Sequence, residues 1–139
     1  MSAEENKAVT RGFMEAFSRH DLDACEPFLD ENIVVHGFPG LPPGRDAYRG
    51  VGAMFLAAFP DGTMAVEDML ADGDKVVARY MYTGTHQGEL QGIPATGKEI
   101  AAQGILIDHI VNGKVVERWD VFDQIGMLQQ LGVMPAPGQ

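Results

Sequence analysis

An acidic side chain interrupts an otherwise apolar segment near the end of the chain, and it is the first candidate for chemistry. In the segment 115–122, Asp120 stands two residues before Phe122 and four after Val116. Because strand residues alternate between two faces, these three share one face. Apolar neighbours hydrate a carboxylate poorly, which raises its pKa and suits it to proton exchange near neutrality. The alternative interpretation is an ion pair on a solvated face, either between Asp120 and Arg118 or across the strands.

Three other kinds of polar residue lie within apolar segments. His36 could donate a hydrogen bond to a substrate oxygen, although a core histidine bonded to the backbone has the same pattern. Tyr80 and Tyr82 share one face of a predicted strand, where they either bind substrate or pack with one polar end in water. Gln103 either holds a substrate oxygen or bonds across the sheet.

Two large aromatic residues are also predicted to contact substrate. Trp119 lies on the face of the segment 115–122 opposite to Asp120, and alternation alone does not decide which face is interior. Phe55 belongs to the apolar stripe of a predicted helix.

Several other chemistries have no motif in this sequence. It contains no glycine-rich phosphate loop, no Gly-x-Ser-x-Gly elbow and no Cys-x-x-Cys pair. The four histidines are scattered, so no metal site is predicted. Cys25, the only cysteine, lies on an apolar helix face and is predicted to be a buried core residue.

The charge balance excludes some partners. The 139 residues include 20 acids and 10 Lys or Arg, a net charge of −10. Such a field repels nucleic acids and anionic membranes, so neither is an expected partner. No apolar run approaches the roughly 18 residues of a spanning helix, and the acidic amino-terminal segment does not resemble a signal peptide. A cytoplasmic protein is therefore expected.

Helices are predicted mainly in the first half of the chain. Ser2 and Glu5 form a predicted capping box, and the apolar residues that follow at a four-residue spacing indicate a helix ending near Arg19. Asp21 is predicted to cap a second, short helix, and a third begins near Arg45. A last short helix is predicted over 124–131.

Strands are predicted over 32–38 and then in the second half of the chain, over 63–71, 75–86, 98–111 and 114–122. The dipeptides Asp72-Gly73 and Asn112-Gly113 predict tight hairpin turns. Helices at the front followed by antiparallel strands indicate the α+β class, with a strongly curved sheet closed on one side by the helices. We expect one domain over residues 1–133, with a Pro/Gly tail at 134–139.

Nine short segments together resemble the SnoaL-like polyketide cyclase family, and they follow one another in the family's order. They are Glu5–Val9, His20–Asp23, Asn32–His36, Gly40–Arg45, Ala58–Asp61, Val66–Asp68, Gly84–Gly88, Gly92–Gly97 and Asn112–Asp120. The resemblance implies the cone-shaped, nuclear transport factor 2-like fold, usually as a homodimer, with a cavity for an apolar small molecule and no metal or organic cofactor.

The resemblance also implies a reaction and residues for it. Cyclases of this family close a ring by an intramolecular aldol reaction, in which an acid on a late strand exchanges protons. Asp120 matches that acid, and His36 matches the polar residue of the first strand. The strand residue facing the acid is commonly histidine in the family, whereas here Leu106 or a neighbour occupies that position.

Three functions follow from these observations. The first is a cofactor-independent cyclase or isomerase in which Asp120 removes a proton beside a carbonyl group, while His36 and Tyr80 or Tyr82 stabilise the enolate. The second is a binding module that holds an apolar ligand without turnover. The third is epoxide hydrolysis, which would require Arg79 to join Arg118 and Asp120.

Overall fold

The computed structural model describes residues 1–135 and 138, and within them four α-helices lie against one five-stranded sheet. The helices are α1 (Ala3–Ser18), α2 (Leu22–Cys25), α3 (Arg45–Ala58) and α4 (Gln124–Gln130), and a 3-10 turn covers Glu26–Phe28. The strands are β1 (Leu29–His36), β2 (Thr63–Asp72), β3 (Lys75–Thr85), β4 (Glu99–Val111) and β5 (Lys114–Phe122). This is the predicted α+β class. The predicted tail at 134–139 lies partly outside the described residues.

The sheet is mixed, with the strand order β1-β5-β4-β3-β2. Strand β1 runs parallel to β5, and the other neighbours are antiparallel. Asn112 and Gly113 form the two-residue turn between β4 and β5 with positive φ angles of 51° and 78°. The other hairpin turns at Gly73 and Asp74, one residue later than predicted, because Asp72 still pairs with Lys75.

Helix α1 covers the sheet with the apolar stripe that the sequence predicted. Ser2 and Glu5 form the capping box at its start, and Val9, Phe13 and Phe17 are all buried. Helix α3 completes the cover and has hardly any fully buried residue, because much of its inner side faces open space rather than core.

A bulge in β5 changes the predicted alternation. His109 pairs with Glu117 but Ile110 pairs with Val115, so Val116 is an extra residue in the ladder. Val115 is therefore buried on the same side as Arg118, and Val116 is not. From Arg118 to Phe122 the predicted alternation holds, and it places Asp120 on the helix-covered side of the sheet.

Candidate functional site

A cavity separates helices α1, α2 and α3 from the concave face of the sheet. Its empty space, counted out into the solvent at its mouth, is about 740 Å³. Five phenylalanine rings lie in its wall: Phe13, Phe17, Phe38, Phe55 and Phe122. Polar side chains also line the cavity, and they include Asp120, Tyr48, Tyr80 and Tyr82. The charged residues Glu26, Arg45 and Arg49 line it as well. An apolar pocket with few polar groups is the usual form of a small-molecule site.

Asp120 lies in this cavity and accepts a hydrogen bond from Tyr80. The Tyr80 hydroxyl is 2.7 Å from Oδ1 of Asp120, and both residues are more than 90% buried. Tyr80 reaches β5 from β3 because Gly104 stands between them on β4, where any side chain would collide with the tyrosine ring. The opposite neighbour of Asp120 on β4 is Leu106, as the sequence indicated.

Burial is the main cause of a raised pKa at Asp120. The hydrogen bond from Tyr80 and the positive charge of Arg118 oppose this shift, and the negative charge of Asp108 adds to it. The pKa of the Tyr80 hydroxyl is raised as well, first by burial and then by the adjacent carboxylate. Asp120 is thus a carboxyl group whose proton affinity is enhanced, next to a tyrosine that stays protonated.

A buried ion pair lies beside this site. Arg118 Nε and Nη2 donate to the two carboxylate oxygens of Asp108 at 2.6 and 2.9 Å, and both side chains are fully buried. Thr10 of α1 donates to Asp108 Oδ2 at 2.9 Å. Burial is the largest single influence on the pKa of Arg118 and lowers it, but the charge and hydrogen bonds of Asp108 together with those of Tyr48 outweigh burial, and the pKa is raised. The predicted alternative, an ion pair of Asp120 with Arg118 or across the strands on a solvated face, is therefore wrong. Arg118 pairs with Asp108, and Asp120 is buried, bonds Tyr80 and has no ion pair among the described residues.

Tyr48 connects this ion pair to the cavity. Its hydroxyl oxygen accepts a hydrogen bond from Arg118 Nη1 at 3.0 Å. The Tyr48 ring stacks on Phe13, with the ring centroids 6.1 Å apart, and the guanidinium of Arg118 lies 4.2 Å from the Phe13 centroid. Tyr48, from α3, thus bonds the Arg118 guanidinium and also lines the cavity.

The structure places Phe55, Tyr80 and Tyr82 in the cavity with Asp120. Phe55 meets the Tyr82 ring edge to face, with the centroids 5.8 Å apart. The Tyr82 hydroxyl is buried and has no hydrogen-bond partner among the described residues, and it lies against Gly62.

His36, Trp119 and Gln103 are not part of this cavity, contrary to the expectation that they contact substrate there. All three lie on the outer face of the sheet, because alternation points Val35, Asp120 and Ala102 inward and their neighbours outward. His36 bonds Glu117 at 2.7 Å and stacks on Trp119 instead.

The set required for epoxide hydrolysis is not assembled around the cavity either. Arg79 is exposed on the outer face of β3. Asp108 is fully buried, and its carboxylate oxygens already accept hydrogen bonds from Arg118 and Thr10. The Asp–Arg–Asp arrangement with Arg79 is thus absent from the described residues.

Sequence reasoning missed Tyr48 and the pair of Asp108 with Arg118. Tyr48 had the spacing of a core residue on α3, and nothing in that spacing distinguishes a ring facing a cavity from one facing a core. Asp108 and Arg118 face one another on the two strands joined by the Asn112-Gly113 turn, but counting back from that turn pairs Asp108 with Glu117. The bulge at Val116 is what brings Arg118 opposite Asp108.

Neither a metal cluster nor a membrane span is found among residues 1–135 and 138. No three His, Cys, Asp or Glu side chains in that part of the chain converge as metal ligands. None of its helices is long and apolar enough to cross a bilayer.

Comparison with known proteins identifies relatives of the chain. The SnoaL-like polyketide cyclase family matches over residues 7–131. Aklanonic acid methyl ester cyclase DnrD of Streptomyces peucetius is 38% identical over 128 residues, which cover 89% of this chain and 88% of DnrD.

Solved structures agree with this likeness. AclR of Streptomyces galilaeus, described as a candidate hydroxylase, has a TM-score of 0.89 at 30% identity and covers 99% of this chain and 87% of its own. IdmH of Streptomyces antibioticus, described as a candidate polyketide cyclase, has a TM-score of 0.80 at 32% identity, with coverages of 91% and 98%. With the cone-like fold, the cavity and these matches, the chain belongs to the SnoaL-like polyketide cyclase family.

Proposed function

We propose that this protein is a cofactor-independent cyclase that closes a ring in a carbonyl-bearing, apolar small molecule, with Asp120 as the general base. The observation that carries the proposal is the buried Asp120 carboxyl in an aromatic cavity, bonded to Tyr80 at 2.7 Å. The relatives named as cyclases support the reaction class.

The reaction begins with proton transfer to Asp120. The carboxylate removes a proton from a carbon next to a carbonyl group and leaves an enolate. The enolate carbon then attacks a second carbonyl group of the same molecule and forms the new carbon–carbon bond. Asp120 returns its proton to the resulting alkoxide, so the product is an isomer of the substrate. Raised proton affinity at Asp120 favours the first transfer, and the second remains favourable because an alkoxide is much more basic than a carboxylate.

Tyr80 acts on Asp120 rather than on the substrate. Its hydroxyl donates to Oδ1, which leaves Oδ2 as the oxygen that takes up the proton. The bond also stabilises the ionised form before the reaction begins, which opposes part of the shift caused by burial. The base is thereby held in one orientation.

Replacement of Asp120 tests this function. Aklanonic acid methyl ester is the substrate to try first, because two relatives that are 38% identical are named as cyclases for it. Asp120→Asn keeps the shape of the side chain and the bond from Tyr80, so we expect turnover to fall by about 10²–10⁴ while the fold persists. Asp72→Asn, at an exposed position of β2, is the matched control and should leave turnover unchanged.

Mass spectrometry of the product separates the alternatives. A product of unchanged mass supports cyclisation, whereas a product that gains one oxygen atom supports hydroxylation, the activity suggested for AclR. Wild-type turnover in a folded Asp120→Asn protein would overturn the catalytic role. Substrate binding by calorimetry without any conversion would favour the binding module.

A further inference from the structure

We propose that Tyr48 is the oxyanion-binding residue of this cavity, and that its hydroxyl donates a hydrogen bond to the negatively charged oxygen of an enolate or phenolate ligand. The inference rests on the proposed function for its role in turnover. The part of the inference that concerns ligand binding is tested by an experiment that does not depend on the role of Asp120.

The direction of one hydrogen bond carries the argument. The guanidinium of Arg118 has only donors and does not lose its proton in proteins, so the Tyr48 oxygen must accept the 3.0 Å bond from Nη1. The hydroxyl proton of Tyr48 is then left to point elsewhere. No acceptor for it is found among the described residues, and Tyr48 lines the cavity. A ligand oxygen in the cavity would accept the hydrogen bond that the Tyr48 hydroxyl has free to donate.

The cation that orients Tyr48 is held rigidly. Asp108 binds it through two oxygens, and the Phe13 ring lies beneath the guanidinium. Because the whole group is buried, it does not reorganise when charge develops in the cavity. A hydroxyl that accepts from a cation is also a stronger donor, since hydrogen bonds in a chain polarise one another.

The other two tyrosines of the cavity have different surroundings. Tyr80 already donates to Asp120, and the Tyr82 oxygen lies against Gly62 without a charged neighbour in hydrogen-bond range. Tyr48 alone of the three accepts from a guanidinium. Burial raises the pKa of its hydroxyl, against the charge of Arg118, so the proton stays on the tyrosine at neutral pH.

The walls of this subsite define the ligand class. Phe13 stacks on Tyr48 at an interplanar angle of 16°, and the tilted Phe38 ring has its centroid 6.2 Å from that of Tyr48. Flat, conjugated molecules fit among such rings, and the enolate or phenolate of a conjugated ketone carries the required charge on one oxygen. The expected ligand is therefore planar, largely apolar and anionic at a single oxygen.

Binding of 2-naphthol and of naphthalene tests the proposal without a reaction. Ionised 2-naphthol has the proposed oxyanion, and naphthalene has only the ring system. Measured by fluorescence titration as a function of pH, wild-type protein should bind the naphtholate about 10- to 100-fold more tightly than naphthalene, which is the usual size of a charge-assisted hydrogen bond. Equal affinities in the wild type would overturn the proposal without any variant.

Tyr48→Phe assigns the effect to the hydroxyl. The variant keeps the ring and its stacking, so naphthalene affinity should be unchanged while the preference for naphtholate is lost. Turnover should fall by about 10²–10³, as for the loss of one oxyanion donor. An unchanged preference for naphtholate in a folded Tyr48→Phe protein would refute the assignment.

Asp120→Asn separates this inference from the proposed function. The substitution removes a negative charge from the cavity. The variant protein should therefore bind naphtholate at least as tightly as the wild type does, although its turnover falls. If Asp120→Asn turns over normally, the base assignment fails, and the naphtholate result still decides the role of Tyr48.

Discussion

At the scale of single residues, the site depends on which hydrogen-bond partner each polar group has. Three tyrosines line the cavity, yet one bonds the candidate base, one accepts from a guanidinium and one has no partner among the described residues. The sequence predicted Asp120, Tyr80 and Tyr82 as site residues, because alternation and composition are visible in it. Partners that depend on long-range register, such as Tyr48 with Arg118, are not visible there.

The raised pKa of Asp120 gives a pH dependence of stability that can be measured. An ordinary aspartate has a pKa near 3.8, and native Asp120 holds its proton to higher pH. Between these two pKa values the native state binds more protons than the unfolded state, so the free energy of unfolding falls as pH rises. Asp120→Asn lacks this effect.

Urea denaturation over a pH series, with wild type and Asp120→Asn measured in parallel, checks this expectation. The wild type should lose stability relative to the variant from about pH 4 upward, and the difference should level off above the native pKa. A wild type that gains stability relative to the variant over that range would contradict the shift.

At the scale of helices and strands, the fold was predictable where patterns are local, and less so where they are not. The helices, the α+β order and the Asn112-Gly113 turn follow from periodicity and turn chemistry. The bulge at Val116 was not predicted, because an extra residue in a ladder depends on both strands. Its consequence is that Val115 points inward in place of Val116 and that Arg118, rather than Glu117, lies opposite Asp108.

The ion pair of Asp108 and Arg118 joins β4, β5 and, through Thr10, α1. Loss of one partner leaves an uncompensated charge in the interior, so Asp108→Asn should lower the free energy of unfolding by about 3–5 kcal/mol. Asp72→Asn serves again as an exposed control and should change it by less than about 0.5 kcal/mol. Chemical denaturation at neutral pH gives both values. Equal stability of Asp108→Asn and wild type would show that the pair does not stabilise the contact between sheet and helix.

At the scale of the whole molecule, the sheet separates two surfaces with different roles. Its inner face forms the wall of the cavity, and its outer face presents His36, Trp119 and a set of exposed aliphatic side chains. Ile105 and Val121 are cross-strand neighbours on that face and are 48% and 75% exposed. Three residues expected at the active site, His36, Gln103 and Trp119, thus lie on this outer surface.

We propose that this outer face is buried in a homodimer of about 30 kDa, twice the chain mass of 15.0 kDa. Exposed apolar side chains that adjoin on a sheet face favour association with a second copy of the same face. Glutamate in place of Val121 would bring two like charges together across a two-fold interface, so Val121→Glu should shift the protein to monomer at micromolar concentration in light scattering. Ala53→Glu adds the same charge to an exposed position of α3, on the other side of the molecule, and should leave the dimer intact. A monomeric wild type would disprove the dimer, and a dimer that survives Val121→Glu would place the interface elsewhere.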